Sequence, residues 1–242
     1  MSAEPTNSTR RDLLAVLFAL TFPTLLTIVY FILLADRHST LQLGAYAVGK
    51  AIQFLFPVVW VFWIQRGRPA WKRPLARDLA AGIGVGLVLL IAALFLYHLW
   101  LKPAGLFDAP AVAVRAKAGG LGIGSVPVFV ATAIFYCAVH SLAEEYFWRW
   151  FVFAQIRRLT SFPAAAAVSA LGFMAHHVFV LEVYFGWNSP LTWLFSLAVA
   201  AGGVIWAWMY EKTGSLYGIW ASHALVDAAI FIIGYDLLTA GI

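Results

Sequence analysis

The sequence predicts an all-α fold, a polytopic bundle of transmembrane helices with about seven spans, bounded by six and eight. Three observations carry that expectation. Hydrophobic residues make up 63% of the 242-residue chain and charged residues only 11%. A soluble domain carries about a quarter charged residues, so there is too little polar surface here to coat a water-soluble globule. The apolar residues fall in runs of about 20, the length a helix needs to cross the hydrocarbon core. Several of the 11 Trp residues (Trp63, Trp71, Trp100, Trp187, Trp193) stand where those runs end, as interfacial aromatic belts do.

The elements follow in order. Residues 1–12, Met1 to Asp12, are polar and expected to be a disordered, cytoplasmic N-terminus. The run Leu13–Leu34 exceeds the roughly 7–15 residues of a signal-peptide core and has no small-residue cleavage site behind it, so it reads as a retained first span. Leu43–Ile64, Leu79–Leu101, Val126–Phe153, Pro163–Val180, Leu191–Tyr210 and Tyr217–Leu238 supply six more. The connections are short, so residues 13–242 read as a single transmembrane helical domain. Gly82 and Gly86, four apart in the third span, predict a face where another helix comes close. Gly119-Gly120-Leu121-Gly122-Ile123-Gly124 has the composition of a nucleotide loop, but no strand precedes it and a membrane helix follows. The phosphate reading fails that context, and a flexible loop is expected.

The net charge is +5. In a soluble protein that would suggest an acidic partner; here the basic residues sit between apolar runs and act as topology signals, so no nucleic-acid partner is expected. Arg10, Arg11, Arg66, Arg68, Lys72, Arg73, Arg77, Arg157, Arg158 and Lys212 fall on one side of a seven-span bundle. Arg37, Lys102, Arg115 and Lys117 fall on the other. The richer side is cytoplasmic, which puts the N-terminus in the cytoplasm. The single cysteine, Cys137, excludes an internal disulfide framework and a cysteine metal cluster.

Ionisable side chains inside spans cost several kcal/mol on insertion scales, so each needs a reason. Span four carries Glu144, Glu145 and Arg149. Adjacent helical residues point about 100° apart, so the two glutamates have different surroundings. Glu145 and Arg149 are four apart in the favourable order for an ion pair. Glu144 has only His140 and Trp148 one turn away, which makes it the better candidate base. Span five carries Phe173, His176 and His177; span seven carries His223 and Asp227, four apart and on one helix face. Measured from the cytoplasmic span ends, Glu144 and His177 each lie about 20 Å in, and His223 and Asp227 roughly 10–17 Å in, at 1.5 Å per residue. These groups share one layer.

A carboxylate in a low-dielectric site can take a proton from water near neutral pH. His177 suits proton shuttling or water orientation. His223 suits stabilisation of the oxyanion on a scissile carbonyl, with Asp227 orienting it or donating when protonated. Such a set hydrolyses a peptide bond without a covalent intermediate. Glu, His and Asp are also zinc ligand types, so a metalloprotease stays open from chemistry alone; Glu144, His177 and His223 would then be the ligands. The short zinc signature with two His four apart on one helix is absent, and the adjacent His176 and His177 point apart.

The three segments together resemble the CPBP family of intramembrane endopeptidases, which includes the type II CAAX prenyl endopeptidases and Abi-like proteins. Its motifs stand here as Glu144-Glu145-x-x-x-Arg149, Phe173-x-x-x-His177 and His223-x-x-x-Asp227, in order and each in an apolar run. The resemblance covers about 126–238. It implies a glutamic-type protease in which Glu144 and His177 activate water and His223 and Asp227 form the oxyanion site, with Glu145, Arg149 and Phe173 in support. It implies no cofactor, zinc not being favoured, and as partners a protein or peptide substrate, lipidated or not, and membrane lipid. The last motif position is often Asn; an ionised Asp227 cannot donate a hydrogen bond. The compact length points to a prokaryotic plasma membrane. A non-catalytic membrane scaffold or immunity protein with the same polar centre is the first alternative. A proton-coupled carrier is the second, although no inverted repeat with matched broken helices is visible.

Overall fold

The computed structural model describes residues 7–34, 39–67, 72–120, 122–123 and 125–239. Of the positions used above, residues 1–6, Arg37, Arg68, Trp71, Leu121 and Gly124 lie outside them. No strand occurs among the described residues. Among the described residues seven helical stretches are long and apolar enough to cross a membrane: Arg10–Leu33, Thr40–Ile64, Ala76–Leu101, Val126–Arg157, Phe162–Phe185, Pro190–Thr213 and Leu216–Thr239. They coincide with the seven expected runs, because a helix satisfies its own backbone in lipid and about 20 apolar residues suffice to span the hydrocarbon core. The protein is an integral membrane protein with an all-helical fold.

The first three spans each end in a wider π-helical turn: α1 (Asn7–Ile28) continues into Val29–Leu33, α2 (Ser39–Val58) into Val59–Ile64, and α3 (Ala76–Leu96) into Tyr97–Leu101. α4 (Asp108–Gly120) is a short helix before span four. Span four alternates geometry: α5 (Val126–Ile134), a π turn Phe135–His140, α6 (Ser141–Glu145), a second π turn Tyr146–Phe153, then α7 (Ala154–Arg157). Spans five to seven are α8 (Phe162–Phe185), α9 (Pro190–Thr213) and α10 (Leu216–Thr239).

Two expectations change. α1 begins at Asn7, so residues 7–12, expected to be disordered, are helical. Their order has local causes: Gln65 Nε2 donates to Asp12 Oδ1 at 3.2 Å, and the Arg11 guanidinium lies 6.0 Å over the Trp60 ring. The glycine-rich stretch is not all loop either. Gly119 and Gly120 close α4, and Gly122 takes a left-handed φ of 70°, which glycine adopts without a Cβ penalty. α4 is fastened by Arg115 Nη1, which donates to Leu237 O at 2.9 Å.

The helices group into two compact units. The first comprises Met1–Trp71, Tyr146–Leu181 and Pro190–Trp208; the second comprises Lys72–Glu145, Glu182–Ser189 and Met209–Ile242. One boundary falls inside span four, where no linker composition could mark it in the sequence.

In the first unit α1 and α2 form an antiparallel pair. Phe18 meets Phe56 at 4.6 Å, Tyr30 meets Tyr46 at 4.7 Å, and Gln42 Nε2 donates to Tyr30 O at 2.8 Å. Gly203 of α9 lies against Ala170 of α8, close enough that a Cβ there would press on it.

In the second unit α3 and α10 run parallel, as the third and seventh of seven alternating spans must. Gly82 faces the Gly218 backbone, Gly86 faces Ser222 and Leu225, and Tyr97 Oη donates to Asp236 Oδ2 at 2.6 Å. A Cβ at Gly82 would overlap the Gly218 carbonyl. The glycine pair read from the sequence as a close-approach face is therefore one, and the helix it admits is α10. Span four runs antiparallel to α10: Phe129 packs on Tyr235, and Tyr136 on Phe231, each at 5.7 Å.

Candidate active site

The second unit collects most of the expected site on two helices. α6 presents Glu144 and Glu145; α10 presents His223 and Asp227. Glu144 is 5% exposed, Glu145 0% and His223 4%. Charge is buried this deeply only where partners meet it.

The imidazole of His223 is the hub. Its Nδ1 stands 2.7 Å from Glu145 Oε1, a hydrogen bond in which the carboxylate accepts. Its Nε2 stands 3.8 Å from Glu144 Oε2 and 3.7 Å from Asp227 Oδ1. Those two separations exceed a direct hydrogen bond and leave both carboxylates in close electrostatic contact with the ring. His140 lies on the other side of Glu144, its Nδ1 3.9 Å from Oε1, with its ring stacked on Tyr136 at 4.8 Å.

The two adjacent glutamates do differ in surroundings, yet they converge on one ring. An imidazole presents its nitrogens in two directions, so side chains about 100° apart around a helix can each reach one. With Nδ1–H given to Glu145, Nε2 of a neutral ring is an acceptor. It donates only when the ring carries both protons.

His177 and Phe173 lie in the first unit, as does Arg149. His177 Nδ1 donates to the Phe173 carbonyl at 2.8 Å, because a carbonyl can only accept. That bond fixes the neutral tautomer and leaves Nε2 as the lone-pair nitrogen. The Phe173 and His177 rings meet edge-on at 4.7 Å. The Phe-x-x-x-His spacing thus has a local purpose: residue i supplies both the carbonyl and the ring that set residue i+4. His176 is buried and stacks parallel on Trp148 at 5.7 Å and 3°. The Arg149 guanidinium is buried with its carbon 4.7 Å over Phe173 and 4.9 Å over Trp206.

His140 was not among the expected site residues, although its place one turn before Glu144 was visible in the sequence. The link between Glu145 and His223 was not visible, since 78 residues separate them. Among the described residues no three His, Cys, Asp or Glu side chains stand in metal-holding geometry.

Fold and site define a polytopic membrane protein with a buried carboxylate–imidazole centre. Residues 126–229 match the family model described as Type II CAAX prenyl endopeptidase Rce1-like. That stretch, from the start of span four to just past Asp227, holds all three motifs and is similar to that family. No curated protein and no solved structure matches the chain.

Proposed function

We propose that this protein is an intramembrane endopeptidase of the glutamic type, cutting a peptide bond near the C-terminus of a membrane-associated protein or peptide. One observation carries the reading: Glu144 and Asp227 both face Nε2 of His223 across a gap of 3.7–3.8 Å, while Glu145 holds the ring by Nδ1. In the proposed reaction Glu144 takes a proton from water as the water oxygen attacks the scissile carbonyl. The oxyanion forms beside His223 and Asp227, which donate to it when the ring carries both protons and the carboxyl is protonated. The C–N bond then breaks and the proton passes to the leaving amine. His177 is assigned to water activation on its motif and its tautomer: Nε2 of a ring fixed at Nδ1 is ready to accept a proton. The reaction needs no metal.

The family match supports the protease class and, with the motifs, suggests a prenylated C-terminal peptide as the first substrate to try. The charge distribution supports a cytoplasmic N-terminus, and a prokaryotic plasma membrane is the proposed location. The test is cleavage of a panel of C-terminal peptides, prenylated and unprenylated, by detergent-purified protein with and without chelator, read by mass spectrometry. Chelator-resistant cleavage is the expected result. Chelator-sensitive cleavage contradicts the water–glutamate mechanism.

A further inference from the structure

Two π turns interrupt span four, and the first, Phe135–His140, ends one residue before α6. A π turn is rare and is frequently found at functional sites. Two of its carbonyls receive side-chain donors: Ser141 Oγ donates to Cys137 O at 2.5 Å, and Trp220 Nε1 donates to Ala138 O at 3.0 Å. The first bond is internal to the span. The second comes from α10, where Trp220 precedes His223 by three residues.

We propose that Trp220 is a positioning residue for the catalytic set, a latch whose indole N–H holds the π turn open and so fixes the direction in which Glu144 and Glu145 point. The latch acts through helix register. Winding six residues at about 4.4 per turn rather than 3.6 rotates everything downstream by about 100°, the angle of one residue. If the turn relaxes to α geometry, Glu144 and Glu145 swing by about that angle relative to the first half of the span. Their contacts to His223 at 3.8 and 2.7 Å then fail together. The latch ties the carboxylates to the helix that carries their imidazole, so the same bond sets register and holds the two elements side by side. This inference rests on the proposed role of Glu144.

The test replaces Trp220 by Phe, which keeps an aromatic ring and removes the donor, and by Gln, which returns an N–H. Cleavage of a prenylated C-terminal peptide is measured beside Glu144→Gln in the same detergent. Trp220→Phe is expected to lower kcat by about 10–100-fold, the scale of a misplaced catalytic group, with KM and thermal midpoint near wild type and with partial recovery in Trp220→Gln. An activity-independent arm follows the Ala138 carbonyl and the Glu144 side-chain carboxyl by carbon-13 NMR; both resonances are expected to move in Trp220→Phe. Movement at Ala138 alone, or unchanged kcat in Trp220→Phe while Glu144→Gln is inactive, overturns the latch. Full activity in Glu144→Gln instead overturns the reading beneath it, and the NMR arm still decides whether the indole sets the register.

Discussion

Both units bury polar and charged side chains among apolar helices, and the surroundings they give them differ. In the first unit the Arg149 guanidinium lies over the faces of Phe173 and Trp206, and the His176 ring stacks on Trp148. A cation on an aromatic face is held by the ring quadrupole, which offers no proton to exchange. In the second unit three carboxylates surround one imidazole, and every group in the set can gain or lose a proton. Aromatic burial serves to hold span five and span six in place; carboxylate burial puts transferable protons at one point. The second arrangement is the costlier to fold, which is why it needs a chemical reason.

Replacing His223 by Leu, which carries no donor, tests the second unit's hub. It removes the group between Glu144 and Asp227 and is expected to lower kcat by about 10²–10³-fold, as loss of an oxyanion donor does; peptide cleavage reads it. Gly82→Leu sets a side chain against the Gly218 backbone. That overpacking is expected to cost about 1–3 kcal/mol of stability, read by thermal unfolding in detergent, and to lower activity because α10 carries His223. Trp206→Leu removes one aromatic face from Arg149 and is expected to cost about 1–2 kcal/mol while leaving kcat per folded molecule near wild type. A kcat loss larger than the stability loss would erase the contrast between the units. Asp236→Asn is the mildest change. The Lys102–Asp236 pair at 2.6 Å is part-exposed on both sides, so its loss is expected to shift stability by less than about 1 kcal/mol.

The sequence exposed the spans because a membrane helix declares itself by length and polarity, residue by residue. It exposed Gly82 and Gly86 because two small residues four apart serve one purpose in such a helix. It also exposed Glu144, His223 and Asp227, since an ionisable residue in a span demands a reason. Glu145 shows where this ran out. The rule that residues four apart meet looks only along one helix, so it had no means of finding His223 on α10. The π turns were equally hidden: no residue type encodes them, and Phe135–His140 reads as ordinary apolar helix. α4 was missed because its two closing glycines signalled loop more strongly than Asp108–Lys117 signalled helix.

The central claim is that Glu144 activates the attacking water. The most direct measurement compares kcat of wild type and Glu144→Gln on one prenylated C-terminal peptide, with thermal unfolding confirming that both proteins are folded. Glutamine keeps the shape and removes the base. A loss of about 10²–10⁴-fold in kcat, the usual contribution of a general base, with an unchanged unfolding midpoint is the predicted result. Cleavage by Glu144→Gln at a rate within a few-fold of wild type would contradict the account.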